Sequence, residues 1–255
     1  MKLIVTDLDA TLLHSDKSIS DYTIRVLKQC RETGNLIAFA SARSEAAMER
    51  FIHAVKPDAL ISNGGAVVRV GDKMIFQNEM TGKEVATVLS MCRRFTQGRG
   101  LVTLDSREGY FCNFVPQDPD RYNGYVPLEL STFDRPAYKI TAELERDEWG
   151  EEIVRACPGC TVIGFTGEKW RRFAAEGSDK GNALKILADA VQVPLCDVIA
   201  FGDDRNDLGM LKLAGHAIAV ANAIDEVRAV ADLVTESNDE DGVARLLERT
   251  LLQSL

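Results

Sequence analysis

Short apolar runs, each handing over to polar residues at its carboxyl end, punctuate this chain. Leu3-Ile4-Val5 leads to Asp7, Leu36 to Ala40 leads to Ser41, Ala59 to Ser62 leads to Asn63-Gly64, and Val198 to Phe201 leads to Gly202-Asp203-Asp204. Runs of this length bounded by polar residues read as buried strands. Amphipathic stretches separate them. Ser20 is placed to cap a helix through Ile24, Val26, Leu27 and Cys30 that Gly34 closes, and Ser44 a helix through Met48, Phe51, Ile52 and Val55 that stops before Pro57. Strands joined by helices predict a doubly wound, mostly parallel α/β sheet.

The rhythm changes after residue 80. Thr81 and Glu84 have capping-box spacing ahead of Val85, Val88, Leu89, Met91 and Cys92. Short β-like segments follow: Leu101 to Leu104, Tyr110 to Phe114, Ala137 to Thr141, Thr161 to Phe165 and Trp170 to Ala174. Ser106 to Gly109 and Thr166 to Glu168 read as hairpin turns, and Arg146 to Ala156 as a helix. From Ser178 the first rhythm resumes. Ser178 or Asp179 caps a helix through Ala183, Leu184 and Leu187; then come the strand to Phe201, a helix through Leu208 to Leu213, the strand Ala217 to Val220, a helix over Ala223 to Ala231, the strand Leu233 to Thr235, and a last helix over Gly242 to Leu252. The expected organisation is an α/β core over 1–80 and 178–255, interrupted by an α+β module over 81–177.

Composition narrows the partners. With 255 residues, 45% of them hydrophobic, and a net charge of −9, the chain can bury a core and has no electrostatic reason to bind nucleic acid or an anionic membrane. A small anionic substrate therefore needs local positive charge. The chain enters a strand without a basic leader, and no apolar run approaches the ~20 residues of a membrane span, so a cytoplasmic protein is expected. Six cysteines in a chain of this size suggest reduced thiols. Cys157-Pro158-Gly159-Cys160 has CxxC spacing, but there is no second CxxC and no histidine at ligand spacing.

The chemistry concentrates where strands end. Asp7 and Asp9 leave the first strand together, and two adjacent carboxylates call for a cation or a shared proton. In open α/β sheets that edge is also where ligands bind. Gly202-Asp203-Asp204-Arg205-Asn206-Asp207 reads either as a surface turn capped by Asn206 or Asp204, or, joined to the first acidic turn, as part of an all-oxygen Mg²⁺ site. Lys180, just inside a helix start, reads either as a solvated charge or as the partner of an anion, and Ser41 either as a hydroxyl at the approach to a helix or as a donor; together they are suited to hold a phosphoryl group.

In DLDAT, Ser41-Ala42-Arg43, Ser62-Asn63-Gly64-Gly65, Lys180-Gly181, GDDRND and Asp241-Gly242-Val243-Ala244, spread from residue 7 to residue 244, the chain resembles the haloacid dehalogenase superfamily, and within it the Cof-type phosphatases. The resemblance implies a Rossmann-like core and makes 81–177 a cap. It also implies that Asp7 is the nucleophile and Asp9 the general acid, and that Mg²⁺ is held by Asp7, the Asp9 carbonyl and Asp203, with Asp207 completing or orienting that set. Ser41, Lys180 and Asn206 would hold the phosphoryl oxygens, with Ala42 and Arg43 beside them. The family commonly carries glycine where Ala10 and Ala42 stand. The implied activity is Mg²⁺-dependent hydrolysis of small phosphomonoesters, a sugar phosphate or similar metabolite. A phosphoglycolate phosphatase, a sugar phosphomutase and a phospho-acceptor signalling domain are the alternatives. Arg43 and Lys139 are expected to be solvated surface charges or contacts to a second polar group on the substrate.

Overall fold

The four residues of β1 (Leu3–Thr6) are all fully buried, which a strand achieves only with neighbours on both edges and cover on both faces. The computed structural model describes residues 1–118 and 122–252 and supplies both neighbours. β1 is followed by α1 (Asp21–Glu32), β2 (Leu36–Ala40), α2 (Glu45–Val55), β3 (Ala59–Ser62), β4 (Val67–Val70) and β5 (Lys73–Gln77). Next come α3 (Gly82–Thr96), β6 (Val102–Ser106), β7 (Gly109–Cys112), β8 (Tyr125–Pro127), β9 (Lys139–Glu143), α4 (Asp147–Ala156), β10 (Cys160–Gly164) and β11 (Trp170–Ala175). The chain continues through α5 (Lys180–Ala190), β12 (Val198–Gly202), α6 (Leu208–Leu211), β13 (His216–Ala219), α7 (Asp225–Arg228), β14 (Leu233–Val234) and α8 (Gly242–Leu247).

These elements form two compact units. The first comprises Met1–Arg43, Met48–Phe76 and Asp179–Leu255. Its sheet runs β14-β13-β12-β1-β2-β3-β4-β5. The strands from β14 to β3 are parallel, and β4 turns back antiparallel on β3. The sequence pattern does not reveal β4 and β5: Arg69 interrupts the valines of one, and the other is mostly exposed at the sheet's edge. Leu27 and Val26 of α1, Met48 and Phe51 of α2 and Leu184 and Leu187 of α5 are buried in the same core as the strands. Ser20 caps α1 by accepting from Thr23 N–H, and Asp179, not Ser178, caps α5 by accepting from Asn182 N–H. α7 is shorter than the apolar pattern over 223–231 suggests. Val230 and Ala231 both bond back to Val227 O, and Asp232 N–H is drawn 2.8 Å from Ala217 O, which pulls the chain into β14. α8 likewise gives way to a wider turn over Glu248–Leu252.

The second unit comprises Gln77–Ser178 with Ser44–Ala47. Its sheet runs β10-β11-β9-β6-β7-β8, antiparallel except for β7 and β8. Val85, Val88 and Leu89 of α3 and Ile153 of α4 share a core with Leu104, Ile140 and Phe173 from the sheet. The Thr81–Glu84 capping box is formed in both directions. Lys139 is not a solvated charge. It is 6% exposed, and its ammonium lies 3.3 Å from Asp105, whose other carboxylate oxygen accepts from Tyr125 Oη–H at 2.5 Å.

Candidate active site

Where β1 ends, the backbone of Asp7 still belongs to the sheet, its N–H donating to Phe201 O of β12 at 3.1 Å. Its carboxylate is thereby carried out of the carboxyl edge between two buried strands. β12 ends at Gly202, and the next residues turn sharply: Asp207 Oδ2 accepts from the N–H groups of Asp203 and Asp204 at 3.0 and 3.2 Å. Gly202 is required there, because a Cβ on it would lie 2.5 Å from Asp207 Cβ. The ligand oxygens of Asp7, Asp203 and Asp207 lie within 4.8 Å of one another.

Lys180, the first residue of α5, is 1% exposed and reaches this group from the other side. Its Nζ donates to Asp7 Oδ1 at 2.5 Å and to Asp207 Oδ1 at 2.6 Å. The start of α5 is fixed by Gly65, whose left-handed backbone passes so close that a Cβ would lie 2.2 Å from Asp179 O. Thr11 Oγ1 donates to Asp203 Oδ1 at 2.6 Å. Thr11 stands in the same motif as Asp7, but nothing in its spacing points to this contact.

Three carboxylates against one ammonium leave surplus negative charge out of water. Burial raises the Asp7 carboxyl well above its ordinary range; Lys180 lowers it, and Asp207, Asp203 and Asp9 add to the rise. Asp203 is pushed up to about 7 by burial and by Asp207. Burial works against the charged form of Lys180, but Asp207 and Asp7 outweigh it, so the lysine stays an ammonium. The donors are all hard carboxylate oxygens, a set whose chemistry suits a divalent cation such as Mg²⁺.

Asp9 faces a different environment. Arg43 grips it with a two-pronged pair, Nε to Oδ2 and Nη2 to Oδ1, both at 2.7 Å, and Lys17 Nζ lies 3.0 Å from Oδ1. Burial would raise this carboxyl, but Arg43 and Lys17 together hold it well below the ordinary range. The Lys17 contact has no sequence signal, since Lys17 lies in a turn with φ +65°. Ser41 leaves β2 with 1% exposure, its N–H donating to Ile61 O and its Oγ accepting from Arg43 N–H at 3.1 Å. Gly64 N–H in turn donates to Ser41 O, so the two loops are laced together beside β1. Asn206 sits in the turn between Asp203 and Asp207, and its buried Oδ1 accepts no hydrogen bond among the described residues. Ala42 lies between Ser41 and Arg43, half-buried.

A doubly wound sheet with acidic turns after β1 and β12 and a lysine from α5 between them is the arrangement of a known class. The chain belongs to the haloacid dehalogenase-like hydrolases, whose family pattern it matches over residues 4–247. It is 27% identical over 282 residues to the 5-amino-6-(5-phospho-D-ribitylamino)uracil phosphatase YwtE of Bacillus subtilis (strain 168), an alignment covering 98% of each chain. It is also 27% identical to the phosphatase YwpJ of the same organism, over 98% of this chain and all of that one. Among solved structures, a haloacid dehalogenase-like hydrolase from Bacteroides thetaiotaomicron aligns over 97% of this chain and 98% of its own, with a TM-score of 0.84 and 26% identity.

Proposed function

We propose that this hydrolase is a Mg²⁺-dependent phosphatase of small phosphomonoesters, working through an aspartyl-phosphate on Asp7. The observation that carries the reading is the gathering of Asp7, Asp203 and Asp207 around Lys180, a buried acidic set with charge left to balance. Asp7, the Asp9 carbonyl and Asp203 would hold the ion, and Asp207 would orient Asp203 through its backbone and Lys180 through its ammonium. The ion supplies the positive charge that lets an anionic phosphoryl group approach an anionic nucleophile.

The protein groups do the rest. Asp7 attacks phosphorus in line, which splits hydrolysis into two easier steps. Lys180, Ser41 and Asn206 bind the phosphoryl oxygens. Asp9 in the anionic form that Arg43 and Lys17 favour is ready to take a proton from water in the second step. Donating a proton to the leaving oxygen in the first step requires that Asp9 leave the Arg43 fork. The 81–177 module is assigned the choice among substrates. The ribitylaminouracil phosphatase among the relatives supports a primary phosphate on a polyol or sugar chain as the substrate class.

The test is phosphate release, with and without Mg²⁺, from a panel of sugar phosphates, polyol phosphates, phosphoglycolate and 5-amino-6-(5-phospho-D-ribitylamino)uracil. Asp7→Asn is expected to abolish turnover while the circular dichroism spectrum stays unchanged, because an amide neither attacks phosphorus nor carries charge for the ion. Sustained turnover by that variant would remove Asp7 as nucleophile. Release from none of the esters by wild-type protein would remove the phosphatase reading.

A further inference from the structure

Glu84, Cys157 and Cys160 form a second cluster of chemically active side chains, in the unit that does not carry Asp7, with ligand atoms within 4.8 Å of one another. Cys157 ends α4 and Cys160 opens β10, both almost fully buried. Between them Pro158 and Gly159 make a tight turn closed by Cys160 N–H to Cys157 O at 2.9 Å. The turn is held from two sides. Gly159 O accepts from Glu176 N–H at 2.8 Å, and a Cβ on Gly159 would lie 2.1 Å from Glu84 Oε1. Glu84 is itself fixed, its Oε2 accepting from Thr81 N–H at 2.7 Å and Thr81 Oγ1 at 2.8 Å. The result is a pair of sulfurs 2.9 Å apart, within a short motion of the ~2.05 Å of an S–S bond.

We propose that Cys157 and Cys160 are a reversible dithiol–disulfide pair, oxidised by low-molecular-weight disulfides to a staple joining the end of α4 to the start of β10. Burial raises both thiols and Glu84 adds to the rise, but the hydrogen bond between them favours the Cys157 thiolate and disfavours that of Cys160, so Cys157 is the readier of the two to give up its proton. The Cys157 thiolate attacks one sulfur of the disulfide RSSR, forming a mixed disulfide and releasing RS⁻, which takes up the proton. Cys160 then attacks the Cys157 sulfur, the mixed bond breaks, and a second RSH leaves with the Cys160 proton. Two thiols and one RSSR become one protein disulfide and two RSH, with two electrons passing to the oxidant. Because the sulfurs are buried, exchange proceeds over minutes to hours. A zinc site is the weaker reading of the same residues. Structural zinc takes four protein donors, whereas this cluster offers two thiols and a carboxylate already engaged in a helix cap.

The experiment uses the full chain with Cys196→Ser, since Cys196 is the exposed cysteine and would form mixed disulfides of its own. After hours in excess glutathione disulfide, thiols are alkylated in denaturant and the protein is digested for mass spectrometry. The expected result is two thiols fewer per chain, with the peptide spanning 157–160 lighter by two hydrogens and restored by dithiothreitol. A further Cys157→Ser change abolishes the internal loss. An unchanged thiol count overturns the proposal, as does a glutathione adduct that never resolves. So does stoichiometric Zn²⁺ binding that protects both thiols. Phosphatase activity is not read, so the result stands apart from that of the ester panel.

Discussion

Ala10 has φ +59° and ψ 10°, a left-handed conformation that a side chain bearing a Cβ adopts at a cost of about 1–2 kcal/mol. It occurs in the turn between Asp9 and Thr11, and Asn222 Nδ2 secures it by donating to Ala10 O at 2.7 Å. The strain follows directly from having alanine at this position of the acidic motif. Ala10→Gly relieves it but gives the unfolded chain more freedom, worth about 0.4–1 kcal/mol in the opposite direction. The expected net change is between zero and about 1.6 kcal/mol of added stability. Ala10→Val, whose branched side chain is still less compatible with positive φ, is expected to lose at least about 1 kcal/mol. Urea denaturation of the three proteins checks the order, and a valine variant as stable as the parent would contradict it.

At the level of elements, the site depends on how closely β12 approaches the turn that follows it. Gly202→Ala places a methyl carbon where Asp207 Cβ and Cγ stand, at 2.5 and 2.7 Å, so the carboxylate that holds Lys180 has to move. Overpacking of this kind typically costs 1–3 kcal/mol, and a displacement near 1 Å in a catalytic set costs about 10²-fold in rate. Steady-state kinetics and thermal melts of Gly202→Ala check both; a variant with parental turnover would mean that the turn tolerates the shift. The strands that build this edge were the legible part of the fold. β1, β2, β3 and β12 are uninterrupted apolar runs because both their faces are covered. β4, β5 and β8 were not legible: they lie at or near sheet edges, where Arg69, Lys73 and Pro127 break the pattern. Asp7, Asp203, Asp207 and Lys180 could be named from their motifs, and the structure brings them together. The embrace of Asp9 by Arg43 and Lys17 could not, since it depends on how loops meet in space rather than on spacing along the chain.

For the whole molecule, the acidic set makes stability depend on pH and, if it holds the proposed ion, on Mg²⁺ as well. Asp203 has an ordinary value of 3.8 and stands at about 7 in the folded protein. Between those values the unfolded chain releases the proton while the folded chain keeps it. This group's contribution is therefore fully present below about pH 4 and lost as pH rises through about 7, in the metal-free protein. On the proposed reading, Mg²⁺ would need the ionised carboxylates and would bind only the folded state, adding about 2.7 kcal/mol at a hundred times its Kd. The upward shift in melting temperature caused by Mg²⁺ is expected to be small at pH 5 and larger at pH 8. Differential scanning calorimetry with and without the ion measures it, and equal shifts at both pH values would refute the linkage.

The unit that carries Asp7 is assembled from three separate stretches of chain, and its central strand waits for a partner made late. β1 is flanked by β2, which follows it closely, and by β12; Thr11 and the Asp203 it bonds stand 192 residues apart. A ribosome working at about 5–20 residues per second needs roughly 10 to 40 s to cover that distance. Throughout that interval the nascent β1 has one unpaired edge of Leu3, Ile4 and Val5, a template for association with other chains. The intervening Gln77–Ser178 stretch emerges whole in the meantime. Translation speed across it therefore sets how long the amino-terminal strand is open to chaperones, and synonymous codon changes confined to that stretch would alter the yield of soluble protein without changing a single residue.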